Sequence, residues 1–347
     1  MVSHKNILLE SFVFLFMMYP DLAFSHITPN IQQTSYFPLY NNKHLHIRCF
    51  NNPSYINNTN NNNDNDDTSS PKTVLFEAGT PFYSTIWGNV LNYMPNYLSN
   101  NENGKLIKQY CVYDRYGYGW SDFKGESVRS DEMVNDLQQY LGSIGIDDGI
   151  IYVGWSYGGV LAQELAATNP GILDGVVLVD SMDVLDLNDT LIQNIVQGVY
   201  SFKILDMIKV TGLTKFYDGY PLPSGYLSES INLDGQLKIS NNMVYFGSDF
   251  LQSTVFELQV IMDSLGLLKS RIDSLAKGKT LLGDIPLVVL TALENQDEDW
   301  MYRQTLLSNY SSNSLHLTTN SSHFVPIGPT FYDIIKSIDN CISLGLK

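Results

Sequence analysis

The chain has 347 residues, 44% of them hydrophobic and 12% aromatic, which suffices to bury the core of a large α/β domain that carries an insertion. Lys and Arg number 20 against 36 Asp and Glu, a formal net charge of −16. That balance argues against nucleic acid or anionic lipid as a partner, because phosphate binding needs a basic face.

The first 25 residues read as a signal peptide. Lys5 gives a positive start, Phe12 to Met18 is an unbroken apolar run, and Ala23-Phe24-Ser25 offers small residues at the positions a signal peptidase reads. The run is too short for a membrane span of about 20 residues, so a secreted or secretory-lumen protein with no stable membrane span is expected. Four Asn-x-Ser/Thr sequons, at Asn57, Asn188, Asn309 and Asn320, fit that route and would make a glycoprotein.

Tyr36 to Tyr40 and His44 to Phe50 read as paired strands joined at Asn41-Asn42. His44 and His46 fall on one face of the second strand; with no third ligand near them they read as a solvated face, and no metal is expected. Cys49, Cys111 and Cys341 make neither a metal-ligand spacing nor a disulfide framework, and Cys49 and Cys111, in apolar runs, read as buried free thiols. Residues 51–70 are an Asn- and Asp-rich tract that can bury no core and is expected to be a disordered loop.

Order resumes with the apolar run Thr73 to Glu77, ending in Ala78-Gly79-Thr80-Pro81. Trp87 to Leu98 reads as a helix that Pro95 kinks or stops. A second run, Tyr110 to Tyr113, leads into Asp114-Arg115-Tyr116-Gly117-Tyr118-Gly119-Trp120-Ser121-Asp122, and Ser130 to Ile144 is helical. Then comes Ile150 to Val153, Gly154-Trp155-Ser156-Tyr157-Gly158, and a helix to about Asn169. Gly175 to Asp180 is another strand. This rhythm of strand and helix predicts a mostly parallel twisted sheet with helices on both faces, and ligands bind such sheets beyond the carboxyl ends of the strands. Thr80, Asp114, Ser156 and Asp180 all lie there.

From 183 to 284 the pattern becomes helical, with Leu191 to Val196 and Phe250 to Leu275 as helices and a Gly-, Pro- and Tyr-rich stretch at Tyr217 to Tyr226. This predicts an inserted helical cap that divides the core into 26–182 and 285–347. The sheet resumes at Ile285 to Thr291. An acidic loop, a helix near Met301 to Ser308, the short strand Leu315-His316-Leu317 and a loop bearing His323 follow, before a last helix from Phe331 to Ile342.

Gly154-x-Ser156-x-Gly158 between a strand and a helix has a steric reason. A serine on so tight a turn sits in strained backbone geometry, and glycines two residues to either side remove the clashes, leaving its hydroxyl at a helix N-terminus. With the Gly117-to-Ser121 turn and the late His323 loop, the chain resembles the α/β-hydrolase fold family, in its Ser-nucleophile branch with a helical cap, from about Tyr36 onward.

The resemblance implies the order nucleophile, acid, base, with Ser156 as nucleophile and His323 as base. The family's usual acid position follows the strand Leu287 to Thr291, where Ala292-Leu293-Glu294-Asn295-Gln296-Asp297 departs from the common Gly-x-x-Asp. Asp297 is favoured there, then Glu294; some relatives take the acid from the end of the preceding strand, Asp180 or Asp183. The oxyanion hole would combine the backbone N–H groups of Tyr157 and Thr80. The implied activity is hydrolysis of a carboxylic ester or related small acyl substrate through an acyl-enzyme, with no cofactor. A serine at the elbow argues against the epoxide hydrolases and haloalkane dehalogenases of this fold, which carry Asp there. A peptidase of the same fold, and a ligand-binding protein with little turnover, are the alternative readings.

Overall fold

In the computed structural model the described residues are 32–55, 71–210, 248–294 and 298–346. The expected signal peptide, the stretch Tyr217 to Tyr226 and the favoured acid Asp297 lie outside them.

The central feature is an eight-stranded sheet in the order β1-β4-β6-β5-β7-β8-β9-β10. β1 (Gln33–Tyr36) and β4 (Ile47–Asn51) pair antiparallel with each other, and β4 pairs antiparallel with β6 (Ile107–Tyr113). From β6 onward every pairing is parallel, through β5 (Lys72–Glu77), β7 (Ile150–Trp155), β8 (Leu173–Val179), β9 (Leu287–Ala292) and β10 (Ser314–Thr319). The predicted fold class is therefore the observed one. β2 (Leu39–Tyr40) and β3 (Lys43–His44) form a separate hairpin around Asn41-Asn42. Both asparagines have positive φ, 48° and 59°, as two-residue hairpin turns demand.

The strands are buried on both faces, and alternation decides which helix layer each side chain meets. Val74 and Phe76 of β5, with Ile151 and Val153 of β7, face α1 (Gly88–Asn100) and α7 (Tyr332–Gly345). Leu75 and Tyr152 point the other way, toward α2 (Ser130–Ser143) and α3 (Tyr157–Thr168). Each such buried aliphatic or aromatic side chain contributes about 1.5–3 kcal/mol. Pro95 neither stops α1 nor shortens it, since the helix runs on to Asn100.

Between β8 and β9 the chain forms α4 (Asp189–Val210) and α5 (Ser248–Asp273), packed on each other; α6 (Glu298–Leu307) follows β9. α5 is tied to the core by Arg271 on Glu164 of α3 (2.7 Å) and by Ser264, whose hydroxyl lies 3.2 Å from that of Tyr157.

Three local expectations are corrected. His46 is not on a solvated face: just before β4 it is fully buried, its Nδ1 2.7 Å from Asp114 Oδ2 and its ring packed against those of Phe37 and Trp120. Cys49 and Cys111 are not free thiols but a disulfide, being directly opposed in the β4–β6 ladder with Cα atoms 4.1 Å apart. The Asn-rich tract is ordered at its start, where Asn51 ends β4 and buried Asn52 donates to the carbonyls of Gly104 and Ile107; its remainder, 56–70, lies outside the described residues.

Candidate active site

The chain passes from β5 to β6 on one side and returns to β7 on the other. The carboxyl ends of β5 and β7 are thus a topological switch point, where α/β sheets bind ligands. Glu77 and Gly154 are register partners, so the segments that follow, Gly79-Thr80 and Ser156, emerge side by side.

Ser156 joins β7 to α3 with φ 54° and ψ −122°, a conformation that costs a non-glycine residue about 1–3 kcal/mol. The flanking glycines make the turn possible. A Cβ on Gly154 would lie 2.4 Å from the Gly158 carbonyl oxygen, and one on Gly158 would lie 2.6 Å from that of Glu77. The hydroxyl of Ser156 sits at the start of α3, whose first N–H groups have no intrahelical acceptor.

His323, in the loop after β10, lies with Nε2 3.1 Å from Ser156 Oγ. Its Nδ1 is 2.6 Å from Oδ2 of Asp180. A carboxylate at Nδ1 holds the proton there, so Nε2 presents its lone pair to the serine hydroxyl. Trp155 anchors the loop by donating its indole N–H to the His323 carbonyl at 2.8 Å.

The carboxylate on His323 is thus that of Asp180, not of Glu294. Asp180 directly follows β8, which lies beside β7, and its φ of 41° turns the side chain toward the histidine. It is fully buried, and Oδ1 accepts from the Ala292 N–H and the Trp300 indole, each at 3.0 Å. Glu294 is exposed on the wall of the adjoining cavity and forms no ion pair with His323. Asp183 is buried beside Leu185, whose N–H it accepts at 2.7 Å; burial raises its carboxyl to about 6. Asp299 is paired with Arg303 at 2.6 Å.

Gly79 lies directly on the serine, since a Cβ there would be 2.7 Å from Ser156 Cβ. The hydroxyl of Thr80 donates to Oε2 of Glu257 at 2.5 Å. Tyr157 opens α3 next to Ser156 and is buried. Of the two residues expected to supply oxyanion N–H groups, Tyr157 thus directly follows Ser156, and Thr80 directly follows the glycine that touches it.

Ser156 and His323 open into a cavity of about 660 Å³. Met182, Leu191, Trp300 and Phe324 give it apolar walls, and Asp186, Glu294, Asp299 and Arg303 give it charged ones. Burial raises the Asp186 carboxyl above its usual range. Among the described residues no three His, Cys, Asp or Glu side chains cluster as metal ligands, and no helix is long and apolar enough to cross a membrane.

Sequence reasoning missed Trp155 and Trp300. Trp155 is signalled only by standing beside the serine. Trp300 has no signal, because the contact joins residues 120 positions apart.

The family model described as "alpha/beta hydrolase fold" matches residues 72–203. Among solved structures, a variant of a protein from Pseudomonas aeruginosa, provisionally named an epoxide hydrolase, is similar with a TM-score of 0.63 at 14% identity, over 92% of this chain and 98% of that one. A variant of the haloalkane dehalogenase DatA from Agrobacterium tumefaciens gives 0.56 at 12% identity, over 88% and 96%. MGS-M2, an α/β-hydrolase enzyme from a Medee basin deep-sea metagenome library, gives 0.54 at 16% identity, over 90% and 97%. No curated protein sequence matches the chain. The chain has the α/β-hydrolase fold.

Proposed function

We propose that this chain of α/β-hydrolase fold is a serine hydrolase that cleaves a carboxylic ester or related small acyl substrate through an acyl-enzyme. The observation that carries the reading is the continuous contact from Ser156 Oγ to His323 Nε2 (3.1 Å) and from His323 Nδ1 to Asp180 Oδ2 (2.6 Å). A serine hydroxyl is a poor nucleophile until a base takes its proton, and a buried carboxylate stabilises the imidazolium that results.

In the proposed mechanism Ser156 Oγ attacks the acyl carbonyl carbon while His323 Nε2 takes its proton. The carbonyl oxygen becomes an oxyanion, met by the backbone N–H groups of Tyr157 and Thr80; each such donor is worth about 3 kcal/mol in the transition state. Collapse expels the alcohol, which takes the proton from His323. Water then attacks the acyl carbon, giving its proton to His323, and the second collapse frees the acid and returns the proton to Ser156.

A serine at the elbow supports acyl transfer over the opening of an epoxide or the displacement of a halide, for which this fold uses a carboxylate nucleophile. Passage through the secretory pathway belongs to the same proposal. The Cys49–Cys111 disulfide supports it, because such bonds persist in oxidising compartments, and Asn188, Asn309 and Asn320 are exposed sequon asparagines.

The test is hydrolysis of p-nitrophenyl esters of graded chain length by the purified protein and by Ser156→Ala. The proposal expects turnover by the parent and a loss of at least about a thousandfold in the variant. Equal rates for the two, or no turnover of any ester, would speak for a protein that only binds its ligand.

A further inference from the structure

Beneath the Gly79-Thr80 loop lies a buried group of charges that the proposed chemistry does not use. Arg115, 3% exposed, stands between two glutamate side chains. Its Nη1 meets Glu77 Oε1 at 2.6 Å, and its Nε meets Glu257 Oε1 at 2.6 Å. The same Nη1 donates to the carbonyl of Ala78 at 2.6 Å, and Nη2 lies 3.5 Å from those of Gly79 and Phe82. One guanidinium therefore holds the Ala78 carbonyl and lies under the loop that turns beside Ser156.

Glu77 and Arg115 belong to the core: Glu77 ends β5 and Arg115 follows β6. Glu257 does not: it is carried on α5, in the helical insert. Its Oε2 accepts from the Thr80 hydroxyl (2.5 Å), the Tyr118 hydroxyl (2.9 Å) and Arg115 Nη2 (3.0 Å). A carboxylate with this many charge-assisted bonds is held in one place, and so is whatever it grips. Here that is the side chain of the residue whose backbone N–H is the proposed second oxyanion donor.

We infer that Glu257 is a positioning residue for the oxyanion loop: from the helical insert it fixes Thr80, so that seating α5 on the core and completing the hole are one event. The inference rests on the serine-hydrolase reading of Ser156. Burial in a packed core would account for a lone Arg–Glu pair. It does not account for a third partner, Thr80, drawn from the loop that touches the nucleophile. Oxyanion donors act only when held within about half an ångström of the productive geometry. A loosened loop would thus cost turnover far more than binding.

The experiment is a double-mutant cycle with Glu257→Gln and Thr80→Ala, with Thr80→Ser as the variant that restores the hydroxyl. Each protein is assayed for kcat and KM on p-nitrophenyl acetate and for its rate of labelling by a fluorophosphonate, with melting temperatures alongside. Glu257→Gln and Thr80→Ala are each expected to lower kcat about tenfold with KM within about twofold. Thr80→Ser, which restores the hydroxyl, should recover most of the kcat lost in Thr80→Ala, and the double variant should be no slower than the slower single one. A Glu257→Gln protein that melts lower yet keeps the parent's kcat overturns the inference, as does a double variant whose losses multiply. A parent that takes no label overturns the serine-hydrolase reading and this inference with it; a labelled parent with an unaffected Glu257→Gln variant overturns the inference alone.

Discussion

Trp300 donates its indole N–H to Oδ1 of Asp180 at 3.0 Å while Oδ2 of the same carboxylate meets His323 at 2.6 Å. The two bonds use different oxygens, so the tryptophan orients the acid without competing for the histidine. Trp300→Phe keeps an aromatic side chain and removes this donor together with part of the indole ring. Hydrogen bonds to charged groups contribute about 1.5–3 kcal/mol, so ester turnover is expected to fall roughly tenfold. Comparison of kcat for the variant and the parent checks this, and unchanged kcat would show that the Ala292 N–H suffices.

The identity of the acid gives a second prediction. Asp180→Asn should lower kcat by roughly 10⁴, because an amide can no longer hold the proton at Nδ1 of His323. Glu294→Gln and Asp297→Asn should remain within about twofold of the parent. A loss confined to either of those variants would return the acid to the loop after β9.

How far the site could be read without the structure follows from where its constraints lie. The elbow is local: a strand, a strained serine and two glycines that must lack side chains occupy a few consecutive residues, and the pattern carries its own steric reason. His323 is nearly as legible, since it alone among the histidines follows the last strand and precedes an apolar helix. The acid is not legible in that way. Asp180 and Glu294 lie on the same side of the sheet as this histidine, and the choice depends on the turn at φ 41° and on donors from Ala292 and Trp300. The errors at His46 and at Cys49 and Cys111 have one cause. Alternation assigns a strand's two faces but not its neighbours: the Phe37 and Trp120 rings packed on His46 come from segments outside the strand, and only the pairing of β4 with β6 opposes the two cysteines.

The disulfide should contribute measurably to stability. It closes a loop of 62 residues, for which a bond of this kind is worth roughly 2–4 kcal/mol. Intact mass before and after reduction and alkylation of the unfolded protein should reveal two cysteines protected and one free. Cys49→Ser with Cys111→Ser should melt several degrees below the parent. Three alkylatable thiols in the unreduced protein would contradict the pairing.

Glu77 yields a pH dependence of stability. Burial, only partly offset by Arg115, raises its carboxyl from the usual 4.5 to about 7. The native protein therefore holds a proton that the unfolded chain releases as pH rises through that interval. The contribution of this group is present in full below about pH 4.5 and is lost as pH climbs to about 7. Glu77→Gln lacks the titration. Melting temperatures at pH 4.5 to 8 should show the parent falling relative to the variant over the interval and running parallel to it above. A parent that gains on the variant as pH rises would reverse the sign and indicate a carboxylate ionised throughout.

The central claim is that Ser156 is a nucleophile activated by His323, and covalent labelling tests it most directly. The purified parent is incubated with a fluorophosphonate, digested, and the modified peptide is located by mass spectrometry, with Ser156→Ala and His323→Ala treated in parallel. The account predicts one modification per chain, on Ser156, absent from Ser156→Ala and strongly slowed in His323→Ala. A parent that takes no label, or a Ser156→Ala protein labelled as well as the parent, would contradict it.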